Sequence, residues 1–288
     1  MNQPSSEPVP SANQSPELRW YGWTDRGKIR RNNEDSFVGL QFDAREIQLL
    51  GKNGQGSTLT TDFVFAVSDG MGGALAGEYA SRIAVERITT ILPPCFKQSA
   101  AGLESGFGDV LTELFDKIHR ALVFVGRSYE ECSGMETTLS LCWFTPGWVY
   151  HAHIGDSRIY YLPNRDRSIK QLTQDDTHVG WLFRNGKINE REARTHPRRN
   201  VLQKALGGGN QFVDPQLGAV AYERGDLFVL CSDGLVEGLY NNHILSLLRP
   251  EPHEVGLYKR DNPARLVVEQ AVKNDGRDNV TAWVIEVL

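Results

Sequence analysis

An α+β layered sandwich is the fold this chain predicts, and three observations predict it. Strand-like runs fall in two blocks, helical patterns fall in two blocks, and the strand–helix–strand alternation of a parallel doubly wound sheet is rare. With 288 residues, 40% of them hydrophobic, the chain can build a sizeable core.

The elements follow in order. Residues 1–17 are mostly Pro, Ser, Asn, Gln and Glu with almost nothing to bury, so they read as a disordered tail ahead of a domain spanning 18–288. Trp20 to Thr24 reads as a strand, and a polar loop carrying Arg30 to Asp35 follows it. Strands around Ser36 to Leu40 and Glu46 to Leu50 lead to a Gly-rich turn at Gly51 to Ser57. The run Phe63 to Val67 is too short for a typical helix and rich in β-branched and aromatic residues, so it is a core strand, and it stops at Ser68-Asp69-Gly70. Ala80, Ile83, Ala84, Ile88 and Ile91 lie at helical spacing within Ala76 to Leu92, and Pro93-Pro94 should end that helix. Val110 to Val125 repeats the signal with Leu111, Leu114, Phe115, Ile118 and Leu122.

Strands return at Thr137 to Phe144, Trp148 to Ile154 and Arg158 to Leu162, with Pro146-Gly147 marking a hairpin turn. Residues 172–209 are polar and rich in Arg and His. They show only short helical patterns, at Asp175 to Phe183 and Asn189 to Arg194, and read as an irregular insertion over the strand ends. Gln216 to Val220 and Leu227 to Cys231 are strands, Asn262 to Lys273 is a helix, and Val280 to Val287 closes the sheet.

Composition narrows the function. A formal charge of −5 gives no support for nucleic-acid binding. No apolar run approaches the roughly 18 residues that span a bilayer, and no leader pattern opens the chain, so a cytoplasmic protein is expected. Four cysteines without a C-x-x-C pair argue against zinc, and Cys142 and Cys231 sit in strands as small hydrophobes. The glycines of Gly51 to Ser57 lack the P-loop lysine position, and neither G-x-S-x-G nor H-E-x-x-H occurs. His151 and His153 alternate on one strand face and read as satisfied structural histidines.

What remains is acidic. Asp69, Asp156, Asp233 and Asp278 each stand at the end or start of a buried strand beside Gly or Asn, and two of them share the pattern of an apolar run ending in Ser-Asp-Gly. Clustered carboxylates raise one another's pKa and need a cation to stay ionised, and hard oxygen donors select Mg or Mn. Spacing alone leaves open that each is a turn aspartate or a helix cap. In the loop before them, Arg30 precedes Glu34 and Asp35, and an arginine fork can hold phosphate oxygens bidentately while carboxylates orient metal-bound water.

Eight motifs, in order, carry a resemblance. They are G-x-x-R-x-x-N-E-D at Gly27 to Asp35, S-D-G-M-G-G at Ser68, G-M-E-T-T at Gly134, I-G-D-S-R at Ile154, L-T-Q-D-D-T at Leu172, H-P-R-R-N-V-L at His196, C-S-D-G-L at Cys231 and G-R-D-N-V-T at Gly276. Together, from Leu18 to Leu288, the chain resembles the metal-dependent protein phosphatases of type 2C in their bacterial form. The resemblance implies an α-β-β-α sandwich, two mostly antiparallel sheets flanked by helices, that hydrolyses phosphoserine and phosphothreonine by direct attack of metal-activated water. It implies two or three Mn(II) or Mg(II) ions. Asp69 would bridge two of them, the Gly70 carbonyl would bind one, Asp233 and Asp278 would complete the pair, and Asp156 with Asp233 would hold a third. Arg30 would grip the phosphate, Glu34 and Asp35 would anchor metal-bound water, and 172–209 would be a mobile flap. The implied partners are phosphorylated proteins, substrates of a cognate serine/threonine kinase, with no nucleic acid and no membrane, and the enzyme would be a monomer.

Met71 follows the first Ser-Asp-Gly where animal members carry His, which leaves the general acid to be found; a metal-bound water could serve, and His178 and His196 in the insertion are candidates. Arg191, Arg194, Arg198 and Arg199 offer phosphorylated targets a basic face, or form a solvated one. A catalytically impaired regulatory relative is the alternative function, and it predicts lost ligand positions. An aspartyl-nucleophile phosphatase wants Asp-x-Asp where this chain has Val67-Ser68-Asp69.

Overall fold

The computed structural model describes residues 17–43, 45–73, 76–100, 106–209, 212–250 and 261–288, so residues 1–16 of the expected tail lie outside the described residues, while Glu17 already belongs to the first strand. The first stretch holds β1 (Glu17–Asp25), β2 (Asp35–Phe42), β3 (Ile47–Leu49), β4 (Asn53–Ser57) and β5 (Asp62–Met71). Two helices follow, α1 (Ala76–Ala100) and α2 (Phe107–Ser128). Then come β6 (Glu136–Thr137), β7 (Leu139–Thr145), β8 (Trp148–Ile154), β9 (Arg158–Leu162) and β10 (Lys170–Gln171). The insertion carries α3 (His178–Arg184), α4 (Glu190–Thr195) and β11 (Leu206–Gly207). The chain continues through β12 (Gln216–Ala221), β13 (Leu227–Cys231), α5 (Asp233–Gly238), α6 (Asn241–Leu248), α7 (Pro263–Asn274) and β14 (Val280–Val287).

Two antiparallel sheets form. One runs β10-β9-β13-β14-β1-β4; the other runs β11-β6-β5-β7-β8-β12, with β2 paired to β5 and β3 to β2. The alternation along β5 shows how they stack. Phe63, Phe65 and Val67 point between the sheets, where Phe65 meets Trp283 of β14 at 5.2 Å, while Val64 and Ala66 point outward under α1 and α2. A strand covered on both faces reads as a continuous apolar run, which is why this one stands out in the sequence. On the far side, Val267, Val268 and Ala271 of α7 pack with Leu235 and Ile244 against Val229 and Val284. The layers are therefore helix, sheet, sheet, helix, as expected.

The differences from expectation have local causes. Gly51 to Ser57 is a turn followed by a strand: β4 pairs with β1, and a Cβ on Gly54 would lie 2.2 Å from the Trp20 ring, so its glycines admit an indole rather than bend the chain. Helix α1 runs through Pro93-Pro94 to Ala100, anchored by Ala80, Ala84, Ile88 and Leu92, all buried against α2 and the sheet. Cys132, Cys142 and Cys231 are free and buried, as a structural role requires. His153 is fully buried with partners on both ring nitrogens, but His151 Nδ1 has none among the described residues, so only one of the two is satisfied.

Candidate metal centre

The strand ends meet. A cleft of about 470 Å3 is lined by Asp69, Gly70, Asp156, Asp233 and Asp278, with Arg30 and Glu34 on its rim. Asp69 and Gly70 come from the end of β5, Asp156 from the β8–β9 turn, Asp233 from the first turn of α5, and Asp278 from just before β14, so both sheets contribute. Asp35 is the exception among the expected residues. It lies buried beneath the cleft, opposite Asp69 in the β2–β5 register.

Short-range bonds fix each position. The Asp69 N–H donates to Thr138 Oγ1 at 3.0 Å, and its carbonyl accepts from the Thr138 N–H at 2.9 Å and Thr137 Oγ1 at 2.7 Å. At Gly70 a Cβ would fall 1.9 Å from the Gly77 carbonyl oxygen, so glycine lets the start of α1 press onto the strand. The second Ser-Asp-Gly repeats the device, with a Cβ on Gly234 falling 2.0 Å from the Asn279 carbonyl oxygen. Ser232 donates to Asp35 Oδ2 at 2.7 Å and accepts from the Thr281 N–H at 3.0 Å, which ties Asp35 to the base of Asp233. Asn279 stitches the Arg30 loop to β14: its Oδ1 accepts from the Glu34 N–H at 2.8 Å, and its Nδ2 donates to the Arg26 and Asn32 carbonyls at 2.9 and 3.0 Å. Thr137, Thr138 and Asn279 escaped the sequence reading, although each sits inside a motif it picked out.

The electrostatics are those of an unneutralised acidic cluster. Burial, then Asp35, Asp233, Asp156 and Asp278, hold the Asp69 carboxyl well above the usual range. Asp233 is raised well above it by burial and then by Asp156 and Asp278. Burial and Asp175 push Asp156 up to about 7, and burial takes Asp35 to about 6 against the pull of its hydroxyl donors. Oδ1 of Asp35 and Oδ1 of Asp233 are buried without a hydrogen-bond partner among the described residues. Oxygen donors alone, mutually repelling and with orphaned acceptors, fit a hard divalent cation.

Two details run against the expected arrangement. Among the described residues no three Asp, Glu, His or Cys side chains are gathered closely enough to hold an ion by themselves. Arg30 is engaged as well: its Nη2 lies 2.6 Å from Asp278 Oδ2. The guanidinium thus occupies a carboxylate that a cation would take.

The insertion stands beside the cleft. A second cavity of about 410 Å3, between α3, α4 and α5, shares Asp156, Asn200 and Asp233 with it. Arg194 donates to the Glu237 and Leu239 carbonyls at 2.8 and 3.2 Å and stacks 3.9 Å over Tyr240, while Arg199 pairs with Glu237 at 3.1 Å. These two arginines pin the insertion to α5 rather than offering a free basic face. Neither His178 nor His196 lines either cavity.

The chain is similar to known protein phosphatases. A family model described as protein phosphatase 2C matches residues 55–254. Serine/threonine protein phosphatase PstP of Mycobacterium tuberculosis is 33% identical over 276 residues, 94% of this chain but 45% of that protein, so the chain spans about half the length of that relative. Serine/threonine phosphatase stp of Listeria monocytogenes is 30% identical over 264 residues, covering 91% of this chain and 93% of the relative. Among solved structures, the S. agalactiae serine/threonine phosphatase superposes with a TM-score of 0.76 at 26% identity, over 94% of this chain and 100% of the other. The catalytic domain of PstP in complex with 2 manganese ions does so with 0.70 at 30% identity, over 95% and 100%.

Proposed function

Because the chain belongs to the protein phosphatase 2C family, we propose that its cleft hydrolyses phosphoserine and phosphothreonine in proteins with two or three Mn(II) or Mg(II) ions bound. The observation that carries this reading is the convergence of Asp69, Asp156, Asp233 and Asp278 in one cleft beside Arg30, with an Asp233 oxygen that has no hydrogen-bond partner among the described residues. Asp69, the Gly70 carbonyl, Asp233 and Asp278 would hold a metal pair, and Asp156 with Asp233 a third ion. Bound there, the ions supply Lewis acidity that makes a nucleophile of water at neutral pH and screens the phosphoryl oxygens.

The chain's own residues do the rest. Thr137 and Thr138 hold the Asp69 backbone, so the carboxylate meets its cation without reorganising. Arg30 grips two phosphate oxygens once it leaves Asp278. Glu34, raised by burial, and Asp35 below Asp233 orient water around the ions. The insertion at 172–209 is the flap against which the phosphorylated segment lies. A cognate serine/threonine kinase as the source of substrates, a cytoplasmic setting and a monomeric state belong to the same proposal. A catalytically impaired regulatory relative would have lost ligand positions, and this chain keeps every one.

Purified protein with Mn(II) is expected to release phosphate from a phosphothreonine peptide and to stop on chelation. Asp69→Asn and Asp233→Asn should each abolish turnover and weaken Mn(II) binding. A folded, manganese-bound wild type that releases no phosphate overturns the activity, and turnover at the wild-type rate in both variants overturns the assignment of the site.

A further inference from the structure

Asp156 has no helix or strand of its own to hold it, since it sits in the turn between β8 and β9. What holds its neighbours is a buried hydrogen-bond chain with a single direction. His153, fully buried near the end of β8, places Nε2 3.0 Å from the Gly155 carbonyl oxygen. A carbonyl only accepts, so Nε2 carries the proton and Nδ1 carries the lone pair. Nδ1 then accepts from Ser140 Oγ, 2.8 Å away on the facing strand β7, where Ser140 and His153 are register partners. Having given its proton to the ring, Ser140 Oγ accepts from Ser157 Oγ at 2.9 Å. Gly155 and Ser157 flank Asp156, so the chain begins and ends on its two neighbours.

We propose that His153 is a positioning residue: the relay from Ser157 through Ser140 and His153 to the Gly155 carbonyl aims the Asp156 carboxylate at its divalent cation. This rests on the reading of Asp156 as a metal-holding residue. The ring lies outside the cleft lining, so it acts through the turn and never on substrate. The turn leaves it little alternative, because Gly155 has φ +111° and a Cβ there would lie 2.5 Å from Thr138. Its backbone is clamped from the flap as well, the Gly155 N–H donating to Asp176 Oδ2 at 3.1 Å and its carbonyl accepting from the Asp176 N–H at 2.7 Å. Burial pushes His153 down to about 4, so the ring stays neutral and one tautomer persists at neutral pH. A leucine or phenylalanine would fill the core equally well, but Ser140 Oγ would lose its acceptor and the Gly155 carbonyl one of its two donors.

The test is a Mn(II) binding isotherm by calorimetry, without substrate, on wild type, Asp156→Asn, His153→Phe, His153→Gln and Ser140→Ala. The difference between wild type and Asp156→Asn identifies the ion that depends on Asp156. His153→Phe is expected to weaken that ion about tenfold and leave the others unchanged, the usual scale for an outer-shell partner. Ser140→Ala should move the same ion in the same direction, and it carries the test if His153→Phe does not fold. His153→Gln, whose amide N–H can still reach the Gly155 carbonyl, should recover most of the affinity. Wild-type binding in the folded relay variants overturns the proposal, as does equal weakening of every ion. If Asp156→Asn itself leaves every ion in place, the reading of Asp156 falls and takes the relay with it, while phosphate release by wild type stands apart.

Discussion

Arg30 has a partner before any substrate arrives. With Nη2 2.6 Å from Asp278, its guanidinium is poised over the cleft. Losing a charged hydrogen bond to phosphate costs about 1.5–3 kcal/mol, so Arg30→Ala should raise KM about 10- to 100-fold while kcat changes less, read by steady-state kinetics on a phosphopeptide. An unchanged KM would put Arg30 outside the phosphate's path. Asp62 offers a second test, away from the site. Half-buried at the start of β5, it accepts from Trp143 Nε1 at 2.8 Å, and burial pushes it up to about 6 from 3.8. A folded pKa above the unfolded one gives stability that is complete below pH 3.8 and lost as pH rises through 6. Asp62→Asn keeps an acceptor for the indole and removes the charge. Relative to wild type it should therefore gain about 1–3 kcal/mol between pH 4 and pH 7.5 in urea titrations; a pH-independent difference would mean Asp62 does not titrate there. At this scale the carboxylates were legible, because Asp beside Gly at the end of an apolar run is a local pattern. Thr137, Thr138 and Asn279 were not, because their roles depend on which strand lies alongside.

The insertion and helix α5 are joined at a point that can be cut. Arg194 caps the carbonyls at the end of α5 and lies over Tyr240, and α5 begins at Asp233. Arg194→Ala is expected to raise hydrogen exchange and proteolytic cleavage across residues 178–201 about tenfold, with the unfolding midpoint of the whole chain little changed. Unaltered exchange there would assign the anchoring to Arg199 and Glu237. Long periodic elements such as α2 and β5 could be read from the chain because their spacing repeats. Short ones were legible unevenly: the patterns at Asp175 to Phe183 and Asn189 to Arg194 anticipated α3 and α4, but the two helices after β13 went unread. Helices α5 and α6 begin at Asp233 and Asn241 and have six and eight residues, too few to establish a period. The glycines of β4 resemble a turn until Trp20 is seen lying over them, and the prolines at 93 and 94 look like a stop until the packing of α1 on α2 is known.

The molecule as a whole is built around a site that neither sheet owns. Four repelling carboxylates from both sheets share one cleft, so a cation that relieves them binds the folded chain and not the unfolded one. At one hundred times its dissociation constant, Mn(II) should stabilise the fold by about 2.7 kcal/mol and raise the melting midpoint by roughly 5–10 °C, reversed by chelator. A melting curve indifferent to manganese would deny the cluster its cation. The overall layering was legible from the blocks of strands and helices. The meeting of Asp69 with Asp278 was legible only through the family resemblance, being a property of sheet packing across more than two hundred positions.

The order of the first sheet has a bearing on how the chain is made. Strand β14 lies between β13 and β1, the last described strand beside the first, and Asp278 stands just ahead of it. A ribosome delivers residues in order, so β1, β9 and β13 emerge before the strand that must join them. Any polypeptide stopped short of Val280 lacks the centre of that sheet. Translation therefore cannot complete this sheet, or seat Asp278 at the cleft, until residues 280–287 have emerged.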